Sequence, residues 1–301
     1  MPTFLTGPVQ VSVPATSANL GPGFDSLGLA LAFRDVVTAQ IDTVLEITVR
    51  GICAETVPLD QNHLVYKAML RGFDYMGCGV PGVRLLCENA IPHGRGLGSS
   101  SAAIVAGICA ARGLVAGGSL LMDDDAVFNI AADIEGHPDN VAPALFGGFT
   151  IAYTEDGRVA ATGVSVDPRI LVVVFVPPEP VETKLARALL PASVTHADAG
   201  ANSGRTALLV AALSRQPELL FAATEDRLHQ EYREPAMPET LKLVRELRAD
   251  RVPAVISGAG PAVLAFADAS NQRSIQSRVP PGWQVLPLLI DRLGAHVDLP
   301  S

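Results

Sequence analysis

No two of the four cysteines stand at C-x-x-C or zinc-ligand spacing. Cys53, Cys78, Cys87 and Cys109 are scattered, which argues against a cysteine-held metal finger or a thioredoxin-like redox pair. Cys109 lies in an apolar helical stretch and reads as a small buried hydrophobe. No run of about 18 apolar residues is free of Gly, Pro or charge, so nothing reads as membrane-spanning. The opening stretch MPTFLTGPVQVSVPA has no charged segment followed by an apolar one, and a reduced, cytoplasmic protein is expected. Positive charge is also scarce. With 22 Lys and Arg against 31 Asp and Glu, the formal charge of -9 argues against a nucleic-acid partner, which would need clustered cations. A site for small anions survives that argument, because local geometry overrides the global field. Repeats and low-complexity segments are absent too.

What is present is the composition of a packed protein. Apolar residues make up 49% and charged residues 18% of 301, enough to bury a real core. VQVSVPA alternates as a strand that stops at Pro14, and VVTAQI with LEITVRG reads as a strand pair. Leu64, Val65, Ala68, Met69 and Phe73 recur at helical spacing. GVRLLCENAI reads as a strand, followed by the helical SSSAAIVAGICAARGLV and then MDDDAVFNIAADIEGH, whose first-turn acids suit a helix dipole. GGFTIAY and RILVVVFVPP are strands, the latter apolar enough to be buried on both faces. Helices at NSGRTALLVAALSR and PETLKLVRELRA precede strands at AVISGAGPAVLAFA and WQVLPLLI. The irregular alternation predicts an α+β fold, with EDGRVAATGVSVDP as a weakly patterned connector between two domains, 1–165 and 166–301.

Residues 91–107, IPHGRGLGSSSAAIVAG, have the glycines of a phosphate loop without its lysine. Gly94, Gly96 and Gly98 let the backbone turn tightly and approach a ligand with no Cβ in the way. The helix starting near Ser99 aims its free N–H groups and positive dipole end into that loop. Ser99, Ser100 and Ser101 add hydroxyl donors and one metal ligand. The loop matches neither G-x-x-x-x-G-K-[ST] nor G-x-G-x-x-G. Triphosphate charge must then be met by Mg²⁺, the helix dipole and Arg95, and something acidic must hold the metal. A serine-capped helix after a glycine turn is the other reading of the loop taken alone.

Two further stretches are rich in polar groups. VPATSANLGPGFDSLGLAL (13–31) sets Asn19 and Asp25 in a loop stiffened by Pro14, Gly21, Pro22, Gly23 and Gly28. An Asx-turn and a helix cap would also explain those two residues. DIEGHPDNVAPALFGGF (133–149) packs Asp133, Glu135, His137, Asp139 and Asn140 into eight positions, more than a capped helix end requires.

With ISGAGPAVLAF (256–266), the stretches PATSANLGPGFDSLG and PHGRGLGSSSAA stand in the order of the three signature motifs of the GHMP kinases, which the chain resembles over residues 9–290. ANLGPGFD and EGHPDNVAPALFGGF are similar to the homoserine kinase branch in particular. The resemblance implies a GHMP kinase fold: an N-terminal domain like ribosomal protein S5 domain 2, a ferredoxin-like C-terminal domain, and an active site between them. It implies transfer of the ATP γ-phosphoryl group to the side-chain hydroxyl of L-homoserine, giving O-phospho-L-homoserine for threonine biosynthesis. A cytoplasmic homodimer is implied as well.

Carried onto this sequence, the resemblance puts Pro92, Arg95, Gly96, Leu97, Gly98, Ser99, Ser100 and Ser101 around the nucleotide phosphates. It puts Ser100 and Glu135 on Mg²⁺, with Asp133 a competitor because the interval before H-x-D-N is shorter here. Asn19, Asp25, His137, Arg205 and Arg233 are implied to bind the amino acid. Asp25 suits an ammonium group or the hydroxyl, and two guanidinium forks suit a carboxylate. On their own, the arginines also read as surface residues on helices.

Asn19, Asp25 and Asn140 are the implied catalytic residues. Mevalonate kinase-like members have an Asp as base near the position of Asn140, and an amide cannot accept a proton. Because phosphoryl transfer depends on alignment and charge stabilisation, the expectation is a reaction with no strong base, Asn19 and Asp25 orienting the hydroxyl. A mevalonate-type kinase is the first alternative, though its substrate has no ammonium for Asp25. A silent ligand sensor with this fold is the second, against which the intact GLGSSSAA speaks.

Overall fold

The computed structural model describes residues 3–79 and 82–299. In chain order come β1 (Val9–Ala18), β2 (Leu27–Ile41), β3 (Glu46–Gly51), α1 (Leu64–Tyr75), β4 (Val83–Asn89) and α2 (Ser99–Leu114). Next are α3 (Gly118–Leu121), α4 (Asp124–Glu135), α5 (Val141–Phe146), β5 (Phe149–Glu155) and β6 (Arg158–Val164). The second half opens with β7 (Leu171–Val176), α6 (Thr183–Ala188), α7 (His196–Arg215), α8 (Leu220–Ala223) and α9 (Pro238–Ala249). It closes with β8 (Ala254–Ile256), β9 (Val263–Ala267), α10 (Gln272–Gln276), β10 (Gln284–Leu288) and β11 (His296–Asp298).

The first sheet runs β11-β1-β2-β4-β3, with β5 pairing β2 and β6 pairing β5. Three expectations need correction here. The strand begun at Val9 does not stop at Pro14 but continues to Ala18, its register shifting between Pro14 and Ala15. A bulge is where a sheet tolerates proline. The segments 36–41 and 45–51 are not partners, because β4 lies between β2 and β3 and pairs β3 in parallel. The connector EDGRVAATGVSVDP is instead mostly β6, returning on β5 in a hairpin that pairs Glu155 with Arg158. Its turn, Asp156–Gly157, has φ of 50° and 75°, the left-handed pair that Asp-Gly favours.

The second sheet is antiparallel throughout, in the order β10-β7-β9-β8. Numbered within that sheet, the order is 4-1-3-2, the ferredoxin-like arrangement. The stretch 254–267 divides into β8 and β9 around a loop at 257–262. β7 shows why its apolar run was readable: Val172, Val174 and Val176 enter the larger core, while Val173 and Phe175 enter a second one. Successive strand residues face opposite sides, so a strand buried on both faces is apolar at every position. The larger core reaches from the first sheet to Leu209 and Leu213 of α7, joining the two halves. β11 returns the end of the chain to the first sheet beside β1.

α1 and α2 pack closely because α2 is built from small residues. A Cβ on Gly107 would lie 2.3 Å from the Val65 carbonyl oxygen. Ala102, Ala106, Cys109 and Ala110 are buried around it. That packing fixes the start of α2, and with it the glycine loop.

Candidate active site

The glycine loop is held where the three motifs meet. Gly94, Gly96 and Gly98 all have left-handed φ, at 64°, 74° and 68°. A Cβ on Gly96 would lie 2.2 Å from the Ser257 carbonyl oxygen, and one on Gly98 would lie 1.9 Å from Thr16 Oγ1. The Ser257 hydroxyl donates to the Gly96 carbonyl at 2.6 Å, and the Thr16 N–H to the Leu97 carbonyl at 3.0 Å. The loop therefore ends in a fixed orientation at Ser99, where α2 leaves its first N–H groups without helical acceptors. Leu97 is buried beneath it, and Pro92 is half-buried where the loop begins. Arg95 is spent on the backbone around it, its guanidinium donating to the carbonyls of His93, Pro177 and Pro178.

The choice between Asp133 and Glu135 is visible in the geometry. Ser100 Oγ and Ser101 Oγ donate to Glu135 Oε1 at 2.6 and 3.0 Å. Asp133 points elsewhere and pairs with the exposed Arg71 at 2.8 Å. α4 places Glu135 at its last turn and ends at Gly136, whose φ is 87°. His137 Nδ1 then lies 2.8 Å from Asp139 Oδ1. Burial opposes the His137 cation, but its bond to Asp139 and the charges of Asp139 and Glu135 outweigh that and raise its pKa. Asn140 Oδ1 accepts from Thr16 Oγ1 at 2.8 Å beside Gly98, so the amide braces the loop.

The far end of the same polar cavity carries opposite charges. Gly96, Gly98, Ser99, Ser100, Glu135 and His137 line one side, and Asn19, Thr183, Arg187, Arg233 and Gly258 the other. Asp25 does not itself line this cavity but is tied to it by Arg187, in a two-pronged ion pair with Nη2 to Oδ1 at 2.6 Å and Nη1 to Oδ2 at 3.1 Å. That bond, against an opposing burial cost, raises the Arg187 pKa. Arg233 is 1% exposed, donates to the Gly258 carbonyl at 3.0 Å and leaves Nε without a partner among the described residues. Burial, then repulsion by Arg187, lowers its pKa to about 10. A buried guanidinium with a spare donor is poised for an anion. Asn19 uses both ends of its amide on the backbone, donating to Gly258 O and accepting from Asp25 N–H, each at 2.9 Å. Arg205 is not among the residues lining this cavity and pairs with Glu225 at 2.8 Å.

Beyond the loop, Gly94, Ser99 and Ser100 also border a second, more apolar cavity of about 390 Å³. Val57, Pro58, Leu64 and Val65 wall it, with Asp35, Asn62, His63, Asn89 and His93 among its polar members. Sequence reasoning does not reach this cavity, nor Thr16, Thr183 and Arg187. Thr16 sits inside the first motif, and its neighbour Gly98 required a small contact there. Arg187 belongs to a short helix with no pattern around it, so only the fold brings it to Asp25.

Residues 63–148 match the GHMP kinases N terminal domain, and residues 208–282 match the GHMP kinases C terminal domain. The chain is 54% identical over 297 residues to the homoserine kinase of Streptomyces coelicolor, covering 98% of this chain and 96% of that one. It is 49% identical to the homoserine kinase of Clavibacter michiganensis, covering 97% and 94%. A crystal structure of homoserine kinase from Cytophaga hutchinsonii superposes with a TM-score of 0.85 at 25% identity, covering 98% and 99%. Mevalonate diphosphate decarboxylase from Staphylococcus aureus shares the fold, with a TM-score of 0.64 at 13% identity over 97% and 98%.

Proposed function

The chain belongs to the GHMP kinases and, within them, to the homoserine kinases, and on that premise we infer how its residues move the ATP γ-phosphoryl group to the side-chain hydroxyl of L-homoserine. The product is O-phospho-L-homoserine, an intermediate of threonine biosynthesis. The observation that carries the mechanism is the single cavity with a helix N-terminus at one end and two guanidinium groups, Arg187 and Arg233, at the other, with Asp25 held against Arg187. A nucleotide polyphosphate fits the first end and a zwitterionic amino acid the second.

The apolar cavity beside Ser99 receives the base, and the loop N–H groups with Ser99 and Ser100 receive the phosphates. The Ser100–Glu135 pair offers oxygen donors only, which suits Mg²⁺. Among the described residues no cluster of three or more His, Cys, Asp or Glu is placed to hold a metal ion, and Ser100 and Glu135 are the residues that would hold the ion beside a bound nucleotide. When bound, the cation neutralises charge on the phosphoryl oxygens. Arg187 and Arg233 bind the amino-acid carboxylate, while Asp25 takes the ammonium group. His137 and its partner Asp139 also line the cavity and can hydrogen-bond the substrate hydroxyl. Asn140 is tied to Thr16 and cannot take a proton. On this reading the hydroxyl proton passes directly to a phosphate oxygen, as alignment and charge stabilisation suffice for a loose transition state. Residues 1–165 form the nucleotide-binding domain and 166–301 the second domain, except that β11 at 296–298 completes the first sheet, in a cytoplasmic homodimer.

The test is ADP release with Mg²⁺-ATP and L-homoserine, mevalonate, L-serine or no acceptor. Turnover on homoserine alone is the expected result. Turnover on mevalonate would overturn the assignment of the charged end, and ATP binding without turnover on any acceptor would overturn the kinase reading.

A further inference from the structure

The loop that carries Asn19 and Asp25 adopts a conformation it does not favour. Asn19, Leu20 and Asp25 have φ of 66°, 51° and 55°, in the left-handed region that suits glycine. Such backbone persists where surrounding contacts over-determine it. Inside the loop, one bond from the Asp25 N–H to Asn19 Oδ1 and one from the Gly23 N–H to the Asn19 carbonyl oppose unwinding, each at 2.9 Å.

The other half of the chain adds further restraints: Asn19 donates to the Gly258 carbonyl, Arg187 pairs with Asp25, and three side chains converge on two adjacent carbonyls. His229 Nε2 lies 2.7 Å from the Gly21 carbonyl oxygen. Asn202 Nδ2 donates to the Pro22 carbonyl at 2.7 Å, and the Thr206 hydroxyl, also on α7, lies 2.8 Å from the same carbonyl and 2.9 Å from that of Asn202, sharing its one proton between them. His229 and Asn202 are buried, so neither carbonyl has a ready substitute in water. Gly21 O can only accept, so His229 carries its proton on Nε2, and its Nδ1 has no partner among the described residues. The ring's one hydrogen bond is thus to the loop, with the buried Asp226 carboxylate 3.7 Å from the same Nε2. Its ring also packs on Phe24, centroids 5.1 Å apart, and the Arg187 guanidinium lies 5.7 Å over the same Phe24 ring. Arg187 in turn holds Asp25. A path of direct contacts therefore runs from His229 through Phe24 and Arg187 to the carboxylate at the charged end of the site.

We propose that Asn202, Thr206 and His229 are positioning residues that lock the 19–25 loop from the second half of the chain, so that Asp25 is presented to the amino-acid substrate. This rests on the homoserine kinase reading for the identity of that substrate. None of the three lines the polar cavity, and Asn202 and Thr206 line a separate one with Pro22, Gly23 and Phe24, so they act on substrate through the loop they touch. Because Asn202 and Thr206 serve one carbonyl, either can hold it when the other is lost. Their removal is accordingly more than additive.

The test compares Thr206→Val, Asn202→Ala, the double variant, His229→Leu and His229→Gln in the full-length enzyme, with KM measured for both substrates. Each single α7 variant should raise KM for homoserine about threefold, and the double variant about thirtyfold or more, with KM for ATP unchanged. His229→Leu should raise KM for homoserine about tenfold, and His229→Gln, which restores a donor near Nε2, should recover most of that. An unchanged KM for homoserine in the double variant, or an equal rise in KM for ATP, would overturn the proposal even if His229→Leu fails to fold. Failure of the unmodified enzyme to phosphorylate homoserine would instead overturn the underlying reading.

Discussion

Ser100 Oγ donates to Glu135 Oε1 at 2.6 Å, tying the first turn of α2 to the last residue of α4. The two helices also pack along their buried faces, so this pair is set by core geometry and does not depend on a loop. It places one carboxylate and two hydroxyls at the point where a nucleotide polyphosphate would end.

Glu135→Gln keeps the hydrogen bonds in reach but removes the charge. It should lower kcat about a hundredfold or more and raise the Mg²⁺ concentration needed for half-maximal rate. Asp133→Asn should leave both near wild type, because its partner Arg71 is an exposed residue away from the loop. A Mg²⁺ titration of the initial rate separates the two. Equal sensitivity of the variants would return Asp133 to the metal.

Arg187 and Arg205 should part company in the same way. Arg187→Ala removes the partner of Asp25 and one wall of the polar cavity, and should raise KM for homoserine about a hundredfold. Arg205→Ala loses a half-exposed pair with Glu225 and should change KM less than about threefold. Steady-state kinetics at saturating ATP decides this. A large effect from Arg205 and none from Arg187 would show that the site closes differently around substrate.

This contrast also marks how far the sequence can be read. The glycines at 94, 96 and 98 announce their role, since all three have positive φ and two of them admit no Cβ. The apolar run in β7 and the acids that open α4 are legible because each is a local pattern: Asp124 and Asp125 do lie in the first turn of that helix. The insertion of β4 between β2 and β3 is not legible, because pairing order depends on contacts far apart in the chain. Arg187 is hidden for the same reason: it meets Asp25 across 162 residues. The Asp156–Gly157 hairpin is a different case, a local turn signal masked by the weak alternation of the strand that follows it.

Gly98→Ala places a Cβ 1.9 Å from Thr16 Oγ1 in a residue whose φ is 68°. The clash and the backbone strain should together cost about 2–4 kcal/mol and distort the start of α2. ADP release should become undetectable while the fold, followed by circular dichroism, persists at low temperature. Normal turnover would mean that the loop rearranges when nucleotide binds.

Asn140→Ala tests whether the reaction needs a base at that position. Asn140 braces Thr16, so its loss should loosen the loop and lower kcat about tenfold, with KM for homoserine little changed. A fall of about five orders or more in kcat with binding intact would contradict a mechanism in which the hydroxyl proton goes to phosphate.

Stability should fall with acid because of three imidazoles. Burial lowers the pKa of His63, His93 and His229 below the ordinary 6.5, and the proximity of His93 adds to the effect on His63. Each is neutral in the folded protein where the unfolded chain is already binding a proton. As pH falls through about 6.5, the unfolded state gains protons that the folded state refuses, and stability is lost. His137 has the opposite sign: its raised pKa contributes stability below 6.5 that disappears as pH rises through the folded value. Three groups against one predict a melting temperature that drops between about pH 7 and pH 5.5. His229→Gln should make that drop shallower, because its amide does not titrate. A melting temperature that holds or rises over this interval would mean that the His137–Asp139 pair outweighs the three buried rings.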